Sequence, residues 1–201
     1  MKIPNLEILD QEDVQKIIEA AYDLLEHFGV MIDNEEVLKV MAEDGVMVDF
    51  DNRVAYISPA IVDKALETVP SSFSVYNQEG EEAAVLEKDN TYFAPGSVAL
   101  NILDSETEEI RRPKISDLIR ITKLIDTLEN VHFQTGPILP EDIPEQIQDA
   151  YRFSLILMNS SKPIFGGAFT IEGLRAQIDM LSVLRGGEKE LKEKPRAILA
   201  A

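Results

Sequence analysis

Cysteine is absent from the 201 residues. Its absence excludes disulfides, thiolate metal sites and a cysteine nucleophile, and it suits a reducing compartment. Basic residues are scarce: 19 Lys and Arg stand against 37 Asp and Glu, giving a net charge of −18. Nucleic acid and anionic membrane surfaces both need a basic footprint, so neither is expected as a partner. A cationic ligand or a basic patch on a partner fits this charge, as does a plain acidic, well-solvated surface. No apolar run approaches the length of a membrane span, and no leader-type apolar stretch follows Lys2. The expected location is the cytoplasm. The general site motifs are missing too: no GxGxxG, no P-loop, no His-x-x-x-His pair and no nucleophile elbow. What is present is the composition of a globular protein, 45% hydrophobic and 28% charged.

The periodicities divide the chain. Asp10 is placed to cap a helix whose Val14, Ile17, Ile18, Ala21, Leu25 and Phe28 share one face, and Gly29 ends it. Asp33 is the expected cap of a shorter helix with Val37, Leu38 and Met41. Val46 to Val48 and Val54 to Ile57 flank Asp51-Asn52 as a hairpin, and Ser58-Pro59 opens a third helix carrying Ile61, Val62, Ala65 and Leu66. A stretch of short strands follows: one at Phe73 to Tyr76, a hairpin across Asp89-Asn90 joining Ala83 to Leu86 with Thr91 to Phe93, and a pair at Val98 to Leu103 and Glu109 to Arg111. The pattern changes after Pro113. Ser116 is the expected cap of a helix with Leu118, Ile121, Leu124, Ile125 and Leu128 on one face. Val131-His132-Phe133-Gln134-Thr135-Gly136 is predicted as a strand. A helix from Pro144 to Asn159 is predicted to bury Ile147, Tyr151, Leu155 and Met158. Pro163 to Gly167 is a second strand. Thr170 caps a helix carrying Leu174, Ile178, Leu181 and Val183 or Leu184. A charged loop from Gly186 to Pro195 then leads into a strand ending at Ala201. Strand–helix alternation with crossovers of this length predicts a parallel sheet.

Three constellations stand out, each with two readings. Gly166-Gly167 at a strand end lets a backbone approach a phosphate, or simply turns the chain. His132 and Gln134 share one face of their strand, which is either the interior of a barrel or an ordinary packed layer. Tyr92-Phe93-Ala94-Pro95-Gly96, followed by Asn101 and Asp104, offers aromatic faces and a carboxylate to a quaternary ammonium ion, or is a strand turn with two packed aromatics. His27, in the last turn of the first helix, reads as structural.

The ordered series of segments resembles the trimethylamine methyltransferase family. It comprises Ile8-Leu9-Asp10, His27-Phe28-Gly29-Val30, Pro70-Ser71-Ser72-Phe73, Tyr92 to Gly96, Asn101-Ile102-Leu103-Asp104, Arg111-Arg112-Pro113 with Asp117-Leu118, and Ser161-Lys162-Pro163. The resemblance implies an α/β fold: the N-terminal part of a (β/α)8 TIM-type barrel (residues 114–201) preceded by a helical and β-hairpin extension (residues 1–113). It implies transfer of a methyl group from trimethylamine, glycine betaine or a similar quaternary amine to Co(I) of a corrinoid protein. The corrinoid (cobalamin) is carried by that partner, and no cofactor or metal is bound directly. It implies a substrate-binding set of Tyr92, Phe93, Asn101, Asp104, Gln134, Thr135, Gly136, Phe165 and Gly166, with the catalytic residues unassigned. The family's members are about twice this length. The chain therefore reads as part of an incomplete barrel, inactive alone; a homo-oligomer is compatible with it. A non-catalytic half-barrel module needing a complementary chain, and a barrel of other chemistry sharing only the extension, are the alternatives.

Overall fold

The computed structural model describes residues 8–200. The reading of the first residues and the last residue of the final expected strand, Ala201, lie outside them. The chain forms two compact units that divide between Pro70 and Ser71. The change of pattern at Pro113 therefore falls inside the second unit.

In the first unit, Asp10 accepts the Asp13 N–H at 2.9 Å and opens α1 (Gln11–Asp23). The helix widens into a π turn, Leu24–Phe28, closed by the Gly29 N–H donating to the Leu24 carbonyl. Gly29 has a φ of 72°, and a Cβ there would lie 2.6 Å from Val54 Cγ1 and 2.8 Å from the Ala55 oxygen. The missing side chain lets β1 (Val30–Met31) enter beside β3 (Val54–Tyr56), with β2 (Met47–Asp49) on the other flank in an antiparallel sheet. The hairpin across Asp51-Asn52 forms as expected. The cap of α2 (Glu35–Glu43) is Asn34, not Asp33: the Asn34 oxygen accepts the N–H groups of Glu36 and Val37, while Asp33 pairs with Arg53. Pro59 begins α3 (Pro59–Leu66). Leu38, Val46 and Ala55 make the core, with Met41, Ile57 and Ile61 against it. Ile17, Ile18 and Phe28 of the α1 stripe, and Leu66 of α3, are exposed. Their periodicity specified helices, but burial needs an opposing surface that the described residues do not supply.

The second unit begins with a hairpin of β4 (Ser72–Tyr76) and β5 (Glu82–Glu87). β5 pairs back to β4, so the hairpin expected across Asp89-Asn90 does not form. Residues 91–93 run as a loop instead, and the Tyr92 hydroxyl accepts the Val85 N–H. β6 (Ile102–Leu103) and β7 (Ile110–Arg111) close a short second hairpin. α4 (Ile115–Thr127) starts one residue before Ser116, and Asp117 supplies the cap by accepting the Lys114 N–H.

The parallel part is centred on β8 (Ile164–Gly167), which pairs with β9 (Ala197–Ala200). Residues 131–136 join its other side through a single parallel bridge from Gln134 to Ile164. They do not form the regular strand expected, because the N–H groups of His132 and Phe133 both turn to the Phe93 carbonyl. A 3₁₀ turn and α5 (Gln148–Asn159) connect this segment to β8. α6 (Ile171–Arg185), capped by Thr170 as expected, and the short α7 (Glu188–Glu193) lead to β9. α7 occupies the stretch expected as a charged loop.

Lys162 fixes the layer by donating its ammonium protons to the carbonyls of Ile125, Leu128 and Val131, at and just beyond the C-terminus of α4. Phe153, Ile156, Leu157, Ile164 and Leu181 form the core between strands and helices. Val75, Ala84 and Phe133 form a second cluster, with Ile198 against it. The buried face of α5 departs from expectation: Ile147, Tyr151 and Met158 are exposed, and of the expected set only Leu155 is buried. Asp149 and Arg152 turn inward instead. On α6, Leu181 is buried as expected, whereas Ile178, Val183 and Leu184 are exposed. This is a mixed α/β fold in which the described residues close no barrel.

Candidate functional site

A cleft of about 580 Å³ lies at the carboxyl ends of the parallel segments. One wall is the chain from Ala94 to Val98. The Thr135 hydroxyl holds it by donating to the Gly96 carbonyl at 3.0 Å, and the Ala99 N–H holds it by donating to the Pro137 carbonyl. Val98 sits in the left-handed region at φ 55°, a strained conformation for a β-branched residue. The opposite wall is Phe165, Gly166, Gly167 and Phe169, with Arg152 between the walls.

The sequence-predicted residues separate into two sets. Thr135, Phe165 and Gly166 line this cleft. Gly136 stands behind it with a φ of 65°, and a Cβ there would meet Ile156 Cδ1 at 3.0 Å and Arg152 Nε at 3.6 Å. Tyr92, Phe93, Asn101, Asp104 and Gln134 are not among the cleft's lining residues. The Tyr92 ring packs edge-on against His132 and Phe133, at centroid distances of 5.1 and 6.3 Å. Phe93 stacks on His132, whose Nδ1 accepts the Phe93 N–H. Gln134 is fully buried, and its amide donates to the Thr122 carbonyl and the Ser160 hydroxyl. Asn101 is exposed. Gly166 and Gly167 are still in extended pairing with Leu199 and Ala200, so neither turns the chain.

Asp104 is engaged structurally. Its Oδ1 accepts the N–H groups of Glu106 and Thr107, and its Oδ2 accepts Arg111 Nε at 2.8 Å. Arg111 reaches on to Asp117 with two further bonds of 2.8 and 3.1 Å. The Glu106 N–H first, then the Arg111 guanidinium and the Thr107 N–H, hold the Asp104 carboxyl down at about 2. Arg111 likewise keeps Asp117 below its ordinary value. Both carboxyls are depressed on folding. Their contribution is therefore complete above the usual carboxylate range and is lost as pH falls through each depressed value, which for Asp104 is about 2. A carboxyl ¹³C titration should show Asp104 midway near 2; a midpoint near 4 would refute the network. Asp104→Asn should reduce the acid sensitivity of the β6–β7 hairpin.

The sequence did not single out Arg152 and Phe169. Phe169 falls just past the β8 glycines and before the Thr170 cap, which is the position where a strand-end loop presents its side chain. Arg152 is one residue before Phe153 and three after Asp149, a pair of charges that disguises the buried face of α5. Among the described residues, no group of three or more His, Asp or Glu side chains is placed to hold a metal ion, and no helix is long and apolar enough to cross a membrane.

Residues 1–199 match the trimethylamine methyltransferase (MTTB) family. The chain belongs to this family. It is 26% identical to the trimethylamine methyltransferase MttB of Desulfitobacterium hafniense (strain DSM 10664 / DCB-2), over 92% of this chain and 37% of that protein. It is 28% identical to the glycine betaine methyltransferase of Desulfitobacterium hafniense (strain Y51), over 96% of this chain and 40% of that protein. The L-carnitine:corrinoid methyltransferase of Eubacterium limosum is 27% identical over 77% of this chain and 32% of its own length. This member of the trimethylamine methyltransferase family thus spans less than half the length of these curated relatives.

Proposed function

We propose that this chain is the N-terminal part of a corrinoid-dependent methyltransferase, comprising an extension and the first strand–helix units of a (β/α)8 barrel. The reaction moves a methyl group from a methylated amine to the cobalt of a corrinoid carried by a separate protein. The observation that supports this most is the cleft at the carboxyl ends of the parallel segments, walled by Phe165 and Phe169. Strand carboxyl ends are where such folds bind their ligands, and the volume suits a small molecule. Aromatic faces attract an N-methylated cation while excluding water.

In the transfer, the N–CH3 bond would break with its electron pair staying on nitrogen, and Co(I) of the partner's corrinoid would supply the two electrons of the new bond to the methyl carbon, becoming Co(III). A quaternary nitrogen leaves as a neutral tertiary amine and needs no proton donor. What the chain contributes is orientation of the N–CH3 axis. The described residues close no barrel, so the expected result for this chain alone is binding without turnover. Saturation-transfer NMR with trimethylamine, glycine betaine and carnitine should detect binding, and incubation with a reduced corrinoid protein should yield no demethylated product. Failure of the whole panel to bind would overturn the assignment. Turnover at the rate of a full-length relative would overturn the incompleteness.

A further inference from the structure

Three side chains behind the cleft bring unsatisfied polar atoms to one small cavity. Asp149 and Arg152 of α5, Gln177 of α6 and the β8 glycines Gly166 and Gly167 line it. Thr135, Arg152, Gly166 and Gly167 line the cleft as well, so the two spaces share a wall. Asp149, Arg152 and Gln177 are only 6%, 7% and 1% exposed. Among the described residues, Asp149 Oδ1, Arg152 Nη1 and Gln177 Oε1 are buried without a hydrogen-bond partner. The other such atoms belong to Thr122, Gln134 and Arg196, none of which lines this cavity. Buried polar atoms in native proteins are paired with protein or with ordered water, so three of them on one cavity call for a common partner.

The three do not satisfy one another. Asp149 is anchored through its second oxygen: Oδ2 accepts the N–H of Phe169 at 2.7 Å, the N–H of Thr170 at 3.0 Å and the Thr170 hydroxyl at 3.4 Å. Arg152 is covered by the Phe169 ring at 5.4 Å and backed by the bare backbone of Gly136. Burial weakens the hold of Arg152 on its proton and the charge of Asp149 opposes that effect, yet no bond joins the pair. The Gln177 amide is oriented by its nitrogen, which donates to the Gly167 carbonyl at 3.3 Å. Its oxygen is therefore the end left over.

What joins these atoms must accept one N–H from a guanidinium and donate to two oxygens. A chloride ion donates nothing, and a metal or ammonium ion accepts nothing; water does both. The space is about 10 Å³, room for one water molecule. We propose that a single internal water sits in this cavity, accepting from Arg152 and donating to Asp149 and Gln177, and that this water-bridged ion pair holds the Phe169 wall of the cleft. Asp149 carries the link, with Oδ1 on the water and Oδ2 on the Phe169 and Thr170 amides. The water belongs to the wall, whatever ligand the cleft takes.

A crystal structure of the chain decides the site without any variant. A water should lie about 2.7 to 3.2 Å from each of Asp149 Oδ1, Arg152 Nη1 and Gln177 Oε1. A direct contact between Asp149 and Arg152, or no water within reach of all three atoms, would overturn the proposal. Oxygen-17 relaxation dispersion counts long-lived waters in solution. Gln177→Met keeps the bulk of the side chain and removes the amide, so it should lower that count by one; an unchanged count would overturn the bridging role of Gln177. Amide exchange reads the hold on the wall. In Gln177→Met, Phe169 and Thr170 should exchange roughly 5- to 10-fold faster. Unchanged exchange at both amides would overturn the part the water plays in holding the wall.

Discussion

Asp149→Ala is expected to destabilise the second unit by about 3 kcal/mol and to dismantle one wall of the cleft. The carboxylate is 6% exposed and joins three elements. It stands in the first turn of α5, it accepts two successive backbone N–H groups at the end of the β8–α6 connection, and it accepts the hydroxyl of Thr170, the cap of α6. Alanine removes an ionised acceptor from donors arranged around it, and it removes the nearest negative charge from Arg152. Asp149→Asn keeps an acceptor oxygen and loses only the charge, so its cost should be smaller, about 1 kcal/mol. Combining Asp149→Ala with Arg152→Met should cost less than the sum of the two, because the double change leaves no unpaired cation behind. Urea unfolding gives the energies, and amide exchange at Phe169 and Thr170 reports the loop. An alanine variant within 1 kcal/mol of the unaltered protein, with both amides still protected, would refute this role.

What the sequence could foretell was local. Asp10 and Thr170 were legible as caps because an N-cap is decided within three residues. β8 and β9 were legible because apolar runs bounded by Pro163 and Pro195 have few alternatives. The failures have one physical source, a distant partner that overrides a local preference. Residues 91–93 alternate like a strand, yet β5 finds β4 first and Tyr92 merely tethers to it. Asp33 and Asn34 are both competent caps; Arg53, twenty residues away, claims Asp33. On α5 the spacing of Ile147, Tyr151 and Met158 is helical, but Phe153, Ile156 and Leu157 offer a rival apolar face, and that face is the buried one. The helix turns by about one position because Asp149 is needed by residues 169 and 170.

The candidate site divides along the same line. Thr135, Phe165 and Gly166 sit at strand ends, and strand ends can be located by pattern. Aromatic residues cannot be sorted by pattern into lining and packing. Tyr92 and Phe93 allowed both readings, cation site and packed aromatics, and they pack on His132, whereas Phe169 carried no signal beyond its place after a strand. Arg152 is the harder case. A charged residue inside an apolar helix face is normally assigned to solvent, so the feature that carries most chemical information is the one a hydrophobic pattern rejects.

Gly29→Ala should unfold the first unit's sheet, with a loss of about 3 kcal/mol or more. Two independent costs add at this position. The backbone has φ 72° and ψ −175°, a combination reserved for glycine. A Cβ there would also stand 2.6 Å from Val54 Cγ1 and 2.8 Å from the Ala55 oxygen. Neither neighbour can retreat cheaply. Val54 and Ala55 pair with Met31 and Val30 in β1 and with Asp49 and Val48 in β2, so β3 is held from both sides. Ala55 is wholly buried at the centre of a core whose other buried side chains, among the described residues, are Leu38 and Val46. A core this small leaves little margin against a loss of that size. For a unit of this length, 3 kcal/mol corresponds to a fall in melting temperature of roughly 12 to 24 °C. Amide exchange should show protection lost at Ile32 and Ile57, whose N–H groups donate to Arg53 and Leu25. A Gly29→Ala variant that keeps this protection and melts within a few degrees of the unaltered protein would show that the close approach of the π turn to β3 carries no structural weight.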